Sequence, residues 1–162
     1  MEPADLLRGQ PEGRTRETAI RRDAAGRWWN GADRIAHPNL TRSFDGWVDR
    51  AEDGRFCLSN DINWAYVAIE GPAYFVRSAR VEPSGAVELE LSGGRQERLR
   101  AVTLRHGADG ALWCDVRDGR CPARFDTHAV AQLAGVVGED ARGVYLDLGG
   151  ERVYPPSAGR AG

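Results

Sequence analysis

The sequence predicts an α+β fold, mostly antiparallel β with two helices, laid out as two duplicated hairpin–helix–hairpin halves. Three observations predict it. Turn signals recur throughout, among them Asn30-Gly31, Asp53-Gly54, Gly71-Pro72, Pro83-Ser84-Gly85 and Gly149-Gly150, and cut the chain into short extended runs. Between them apolar and charged residues alternate with period two, as where Val87, Leu89 and Leu91 enclose Glu88 and Glu90. Two segments instead carry apolar residues at helical spacing: Leu40, Phe44, Trp47 and Val48, then Ala129, Val130, Leu133, Val136 and Val137.

Residues 1–18 are polar, rich in Arg and Glu and broken by Pro and Gly, and are expected to form a flexible arm. Residues 19–23 and 27–31 follow as a hairpin around Asp23-Ala-Ala-Gly26. Trp28 and Trp29 are adjacent in the second strand, so one enters the core and the other meets a different surface. His37-Pro38 opens the first helix, where a first-turn proline gives up an N–H that has no helical partner anyway. That helix is expected to end near Arg50, weakened at Gly46 by about 1 kcal/mol relative to Ala. A strand over residues 55–58 then leads into residues 59–76. This central stretch holds Trp64, Tyr66, Tyr74 and Phe75, and reads as strand–turn–strand broken at Gly71-Pro72.

The second half reads as a meander. A strand ending at Val81, then residues 87–91, 99–104 and 111–116, make four antiparallel strands in a row. Their buried face needs a helix or a second sheet over it. The second helix supplies one, with Asp126 as N-cap and Gly138 where a C-cap glycine belongs. Residues 143–148 and 152–154 close the fold as a hairpin, and Pro155-Pro156 ends it.

The two halves, residues 19–80 and 81–156, share an order of elements and a sparse identity at an offset of 88. Gly31 meets Gly119, Val48 meets Val136, Leu58 meets Leu146 and Tyr66 meets Tyr154. Each half alone is small for its sheet. Burying a Trp or Phe removes about 150–250 Å² from water, worth roughly 4–6 kcal/mol. The halves are therefore expected to fuse around a shared core and to leave a cleft at their seam.

Totals exclude several classes. The 162 residues carry 22 basic and 24 acidic groups, a net charge of −2, so no general attraction to double-stranded nucleic acid or an acidic membrane is expected. Every basic residue is Arg, which removes any lysine nucleophile or Schiff base and leaves cations suited to carboxylate or phosphate. Cys57, Cys114 and Cys121 are odd in number and lack CxxC spacing, which predicts free thiols and neither a disulfide framework nor a zinc site. The opening residues have no apolar run, so neither a signal peptide nor a membrane span is expected, and a cytoplasmic location is.

No catalytic constellation stands out. The three histidines form no HxH or HExxH, the serines lack a G-x-S-x-G setting, and no Gly-rich phosphate loop occurs. No metal, cofactor or catalytic residue is assigned, and an enzyme is not expected. The positive signal is Arg beside aromatics. Arg77 and Arg80 follow Tyr74-Phe75, while Arg117 and Arg124 flank the start of the second helix, where free N–H groups favour anions. An anion held by Arg124 and Arg117, with Trp64 or Tyr66 as a stacking surface, is the sharp expectation. The plainer one is that these arginines are ordinary surface charges. His37 divides likewise between a ligand-facing group and a hydrogen bonder at the helix start.

The run Asp23-Ala-Ala-Gly-Arg-Trp-Trp29, with Ile35-Ala-His37, Asp53-Gly-Arg-Phe56 and Ile69-Glu-Gly-Pro-Ala-Tyr-Phe75, resembles an uncharacterised proteobacterial family, the domain of unknown function twelve-eighty-five. Cys114-Asp-Val-Arg117 and Ala123-Arg-Phe125 are similar too, and the likeness covers about residues 20–155. It implies a duplicated core whose second half is loosely like a pleckstrin-homology domain. It also implies a ligand site, for something nucleotide-like, at the seam, and a role in signal transduction. At Ser59-Asn60-Asp61-Ile62-Asn63 the chain departs from the family's usual Thr-Pro-aliphatic-Glu run. The resulting expectation is a non-catalytic regulatory module binding a small anionic or nucleotide-like ligand. Its candidate residues are His37, Asn60, Asn63, Trp64, Tyr66, Arg77, Arg117 and Arg124. The rivals are a protein-interaction module using an exposed sheet edge and the second Trp of the pair, and an enzyme assembled across the seam.

Overall fold

The structure, a computed structural model, describes residues 16–157. The expected arm lies outside the described residues as far as residue 15. The chain divides into two compact units between Ala73 and Tyr74. Sequence reasoning drew that boundary after Arg80. The whole strand Tyr74–Val81 pairs with later strands, which draws the division back.

In the first unit, β1 (Ile20–Arg22), β2 (Trp28–Asn30) and β3 (Asp33–Ile35) form an antiparallel meander, extended by a parallel strand, β7 (Ala68–Ile69), on β1. The β1–β2 hairpin forms as expected; β3, with its charged Asp33-Arg34 start, went unread. Helix α1 (Pro38–Trp47) follows, and then an antiparallel meander of β4 (Val48–Arg50), β5 (Phe56–Ser59) and β6 (Trp64–Tyr66). The helix stops three residues before the expected end, because Val48 turns to extended geometry and begins β4 opposite Leu58. Its side chain is fully buried there all the same.

One tryptophan of the pair is core and the other is not. Trp28 is 1% exposed and meets Phe44 of α1 edge-on at 5.3 Å, while Trp29 is half-buried on the opposite face. A charge is buried beside Trp28. Arg22, 2% exposed, donates to Asp45 Oδ1 at 3.0 Å and to the carbonyl oxygens of Pro72 and Ala73. The Trp28 indole N–H donates to that same Asp45 oxygen at 3.0 Å. Asp45 thus ties the helix to the sheet, and Arg22 ties the turn before Tyr74 to the same ion pair. Residues 16–18, expected in the arm, lie along β6: Arg16 donates to Asn63 Oδ1, and the Thr18 hydroxyl to the Tyr66 carbonyl, both at 2.6 Å.

The second unit holds a six-stranded sheet in the order β10-β9-β8-β13-β12-β11: Gln96–Arg98, Val87–Leu91, Tyr74–Val81, Cys121–Phe125, Leu112–Val116 and Arg105–His106. The expected row of four consecutive antiparallel strands is corrected in the middle, where β13 enters parallel to β8. Its sequence hid it: Pro122 speaks against a central strand. Yet Pro122 lies one residue before the pairing with β8 begins, so its missing N–H costs that ladder nothing. The expected strand at 99–104 is instead a 3₁₀ turn, Ala101–Thr103, anchored by buried Leu99 and Leu104 while Val102 points to solvent.

Helix α2 (Thr127–Gln132) packs on β8, and a meander of β14 (Val137–Asp140), β15 (Gly143–Leu148) and β16 (Glu151–Val153) follows. The second helix is shorter than its apolar spacing suggested, and Gly138 is no C-cap. It lies within β14, where a Cβ would come 2.9 Å from Cε2 of Tyr145. All three cysteines are free, as their number and spacing predicted, and all three are buried; burial pushes the Cys114 thiol up to about 12. The α+β, mainly antiparallel architecture with two helices is the one the sequence predicts.

Each unit follows its helix with a three-stranded meander, and the last hairpins agree in register. Cys57 pairs with Tyr66 and Leu58 with Ala65; 88 residues on, Leu146 pairs with Val153. The side chains repeat as well. Tyr66 donates its hydroxyl to Asp53 at 2.7 Å, the Arg55 N–H donates to the other Asp53 oxygen, and the Arg55 guanidinium lies 3.7 Å from the Tyr66 ring centroid. Tyr154 donates to Asp140, the Arg142 N–H donates to the other Asp140 oxygen, and Arg142 stacks on Tyr154 at 4.3 Å. Both tyrosine hydroxyls hold their carboxylates below the usual Asp value of 3.8.

The sign follows from that depression. The stabilisation is complete above the ordinary Asp range and is lost as pH falls through the lowered native values. A Tyr66→Phe, Tyr154→Phe variant should therefore be less stable than the parent at pH 7, with the gap narrowing below about pH 4. Urea unfolding at both pH values checks this; a gap that widens in acid contradicts it.

Candidate functional site

In the first unit, β4, β5 and β6 curl around a cavity of ≈ 610 Å³. Trp64 and Tyr66 come to it from β6, Cys57 and Ser59 from β5, and Asp49 and Arg50 from β4; Glu52 and Asp53 belong to the β4–β5 turn. Period-two alternation explains why Trp64 and Tyr66 share a face, with Ala65 buried on the other. The two rings meet edge to face at 5.1 Å. Arg16 lies 4.3 Å from the Trp64 ring centroid and donates to the Trp64 carbonyl, holding the indole in place.

The charges of this cavity are unequal. Asp53 is engaged by Tyr66, and the Asp49 Oδ1 accepts from the Arg50 N–H at 2.8 Å. The Arg50 guanidinium rests 4.5 Å from the Phe56 ring centroid, and its Nε is buried without a hydrogen-bond partner. Among the described residues Arg50 makes no side-chain ion pair. Three carboxylates and one cation thus line the same hollow as an indole and a phenol. It suits a flat, polar, uncharged or weakly charged molecule better than a polyanion.

The sequence candidates are scattered. Trp64 and Tyr66 line this cavity; Asn60 and Asn63 shape the turn before it. Asn60 Oδ1 accepts from the N–H groups of Ile62 and Asn63, while Asn63 Oδ1 accepts from Arg16 and the Trp64 N–H. His37 sits at the N-cap position of α1, is exposed, and makes no side-chain cap bond. The remaining three belong to the second unit. Arg77 pairs with Asp126 at 2.8 Å and lies over Phe75. Arg124 pairs with Asp109 at 3.0 Å. Arg117 occupies the β12–β13 turn with φ 56°, its N–H donated to the Glu97 carboxylate. Arg124 pairs with Trp113, and Arg117 follows four residues further along in the β12–β13 turn, so the two backbones stand about 13 Å apart. Asp126, moreover, sets a carboxylate at the start of α2.

Arg124 does line a second cavity, of ≈ 390 Å³, whose wall is mainly Val130, Leu133, Val137, Val144 and Leu146. Sequence reasoning missed Asp49, Arg50 and Glu52 of the first. Their only signal was a charged run, Asp49-Arg-Ala-Glu-Asp53, read as a helix end and a turn. Among the described residues no group of three or more His, Cys, Asp or Glu is placed to hold a metal, and no helix is long and apolar enough to cross a membrane.

No family model and no curated protein matches the chain. Solved structures do. A DUF1285 family protein from Silicibacter pomeroyi DSS-3 has a TM-score of 0.64 at 19% identity, over 84% of this chain and 78% of its own. Another from Shewanella baltica OS155 has a TM-score of 0.56 at 12% identity, over 73% of this chain and 91% of its own. Both belong to the family that the sequence motifs resemble, and at these identities what they share with this chain is the fold.

Proposed function

We propose, with the fold shared with DUF1285 family proteins as the premise, that the first unit is a non-catalytic module binding a heteroaromatic, nucleobase-like ligand. The observation that carries this reading is Arg50. Arg50, whose guanidinium Nε is buried without a hydrogen-bond partner, is one of the residues lining the same hollow as Trp64. A planar ring stacked on Trp64 would accept from Arg50 at a carbonyl or ring nitrogen and donate an exocyclic amine to Asp49 or Glu52. The carboxylates set the phosphate count: a nucleoside fits with less repulsion than its triphosphate. This narrows the anionic expectation toward the nucleoside end. The matching registers and the repeated Tyr–Asp–Arg arrangement support reading the chain as a doubled motif, whose first copy forms the aromatic cavity. A regulatory role is the corresponding reading of a module that binds without turning its ligand over.

Calorimetric titration with adenosine, guanosine and their mono- and triphosphates tests it. A nucleoside should bind, and Trp64→Ala should weaken it roughly 5–150-fold, the worth of one base–aromatic stack. Arg50→Gln should weaken it by about tenfold with little change in stability, because no ion pair is lost. Equal affinity in parent and both variants, or tighter binding of the triphosphate, would sink the reading.

A further inference from the structure

The other face of the first sheet carries a row of three side chains across three strands. Arg21 of β1 pairs with Trp29 of β2, and Trp29 with Arg34 of β3. The two guanidiniums lie 5.0 Å and 5.8 Å from the Trp29 ring centroid. The indole therefore positions both cations, about 10 Å apart or two strand spacings, without neutralising either. Among the described residues neither arginine has an acidic partner. Asp23, an acid on this face, is occupied: it accepts from the Trp29 indole N–H at 2.9 Å and pairs with Arg27 at 3.0 Å, while Glu70 beside it accepts from the Ala24 N–H at 3.1 Å. A chain of net charge −2 thus keeps two uncompensated positive charges beside a half-exposed tryptophan.

The row ends at an edge strand. Among the described residues no strand lies outside β3 in the order β3-β2-β1-β7, and Asp33 and Arg34 are exposed. Gly31 (φ 60°) and Ala32 make the two-residue turn joining β2 to β3, so the flanking pair Asn30–Asp33 is the hydrogen-bonded one. Pairs alternate, so in the Trp29–Arg34 pair the backbone groups point away from each other. The N–H and C=O of Arg34 therefore face outward, and its guanidinium lies on the Trp29 face. A residue docked opposite Arg34 would exchange two backbone hydrogen bonds and set its side chain beside that guanidinium.

We propose that the outer edge of β3, with Arg34, Trp29 and Arg21 in a row behind it, docks an acidic extended segment of a partner protein. The partner strand adds to the sheet, with a Glu or Asp opposite Arg34. The row runs across the strands, so the residue opposite Arg34 is the one that meets it, and an acidic side chain at that position suits it best. The net negative charge of the whole chain favours a short acidic peptide, held locally, over a nucleic acid, whose backbone would meet repulsion beyond this row.

Fluorescence anisotropy with a fluorescein-labelled decapeptide alternating Glu and Thr tests this on the full chain. The peptide should bind at low salt at least tenfold tighter than its Lys–Thr counterpart. Arg34→Glu should weaken it tenfold or more, and Arg21→Glu several-fold. Arg80→Glu, the same change of net charge in the second unit, should leave it within twofold. Arg34→Glu and Arg80→Glu, both at exposed positions, should keep the parent's melting temperature, and N-methylation of the peptide backbone at alternate positions should abolish binding. Indifference to Arg34→Glu, an equal loss from Arg80→Glu, or a labelled oligothymidine binding more tightly than the acidic peptide would each overturn the proposal. None of these readings depends on the cavity at Trp64.

Discussion

Replacing Asp45 by alanine should destabilise the chain toward the lower end of the about 3–5 kcal/mol expected when one partner of a buried pair is removed. Arg22 is 2% exposed and the Asp45 side chain 27%, so the cation has no route to water while the carboxylate has a partial one. Alanine leaves the guanidinium with two carbonyl oxygens and no charge to balance it, and it also orphans the Trp28 indole N–H. Asparagine keeps an oxygen that both donors reach, so Asp45→Asn should cost about 1 kcal/mol. Urea unfolding of parent, Asp45→Asn and Asp45→Ala should thus rank in that order. If Asp45→Ala unfolds with the parent, Arg22 does not depend on it.

The second large effect should come from Gly85→Ala. Gly85 closes the β8–β9 turn with φ 89°, and a Cβ there would lie 2.6 Å from the Cα of Gly149 in the β15–β16 turn. Gly149 is placed the same way, its own missing Cβ 2.6 Å from the Ser84 carbonyl oxygen. Two hairpin tips therefore pass backbone against backbone within the second unit. Left-handed geometry costs a non-glycine residue about 1–2 kcal/mol, and forcing the turns apart adds about 1–3. Gly26, with a similar φ of 83° and open space around it, is the control: Gly26→Ala should show only the first cost. Equal losses at Gly26 and Gly85 would remove the tip-to-tip contact from the account.

What could be read beforehand follows the range of the interactions. The β1–β2 hairpin, the start of α1 at Pro38, the strand over residues 87–91 and the final hairpin depend on turn chemistry and alternation within a few residues, and they were legible. The free thiols were legible from the number and spacing of the cysteines. β3 and β13 were not, because Asp33-Arg34 and Pro122 argue locally against strands that pairing with distant neighbours imposes. The candidate site divides the same way. Trp64 and Tyr66 announce themselves by type and by alternation. Arg50, one charge in a charged run, acquires meaning only when β4 sets it in the hollow with them.

By itself, then, the sequence determined the α+β class, the two helices, most turns and the core tryptophan next to a surface one, because each follows from periodicity or backbone chemistry written into adjacent residues. Only the tertiary structure decided which charges are spent and which are spare. Arg22 is consumed by Asp45, Arg77 by Asp126 and Arg124 by Asp109, while Arg21, Arg34 and Arg50 keep no acid among the described residues. The reason is physical: a guanidinium's partner is chosen by proximity in the folded chain, and the pairs that neutralise these arginines span 15 to 49 residues.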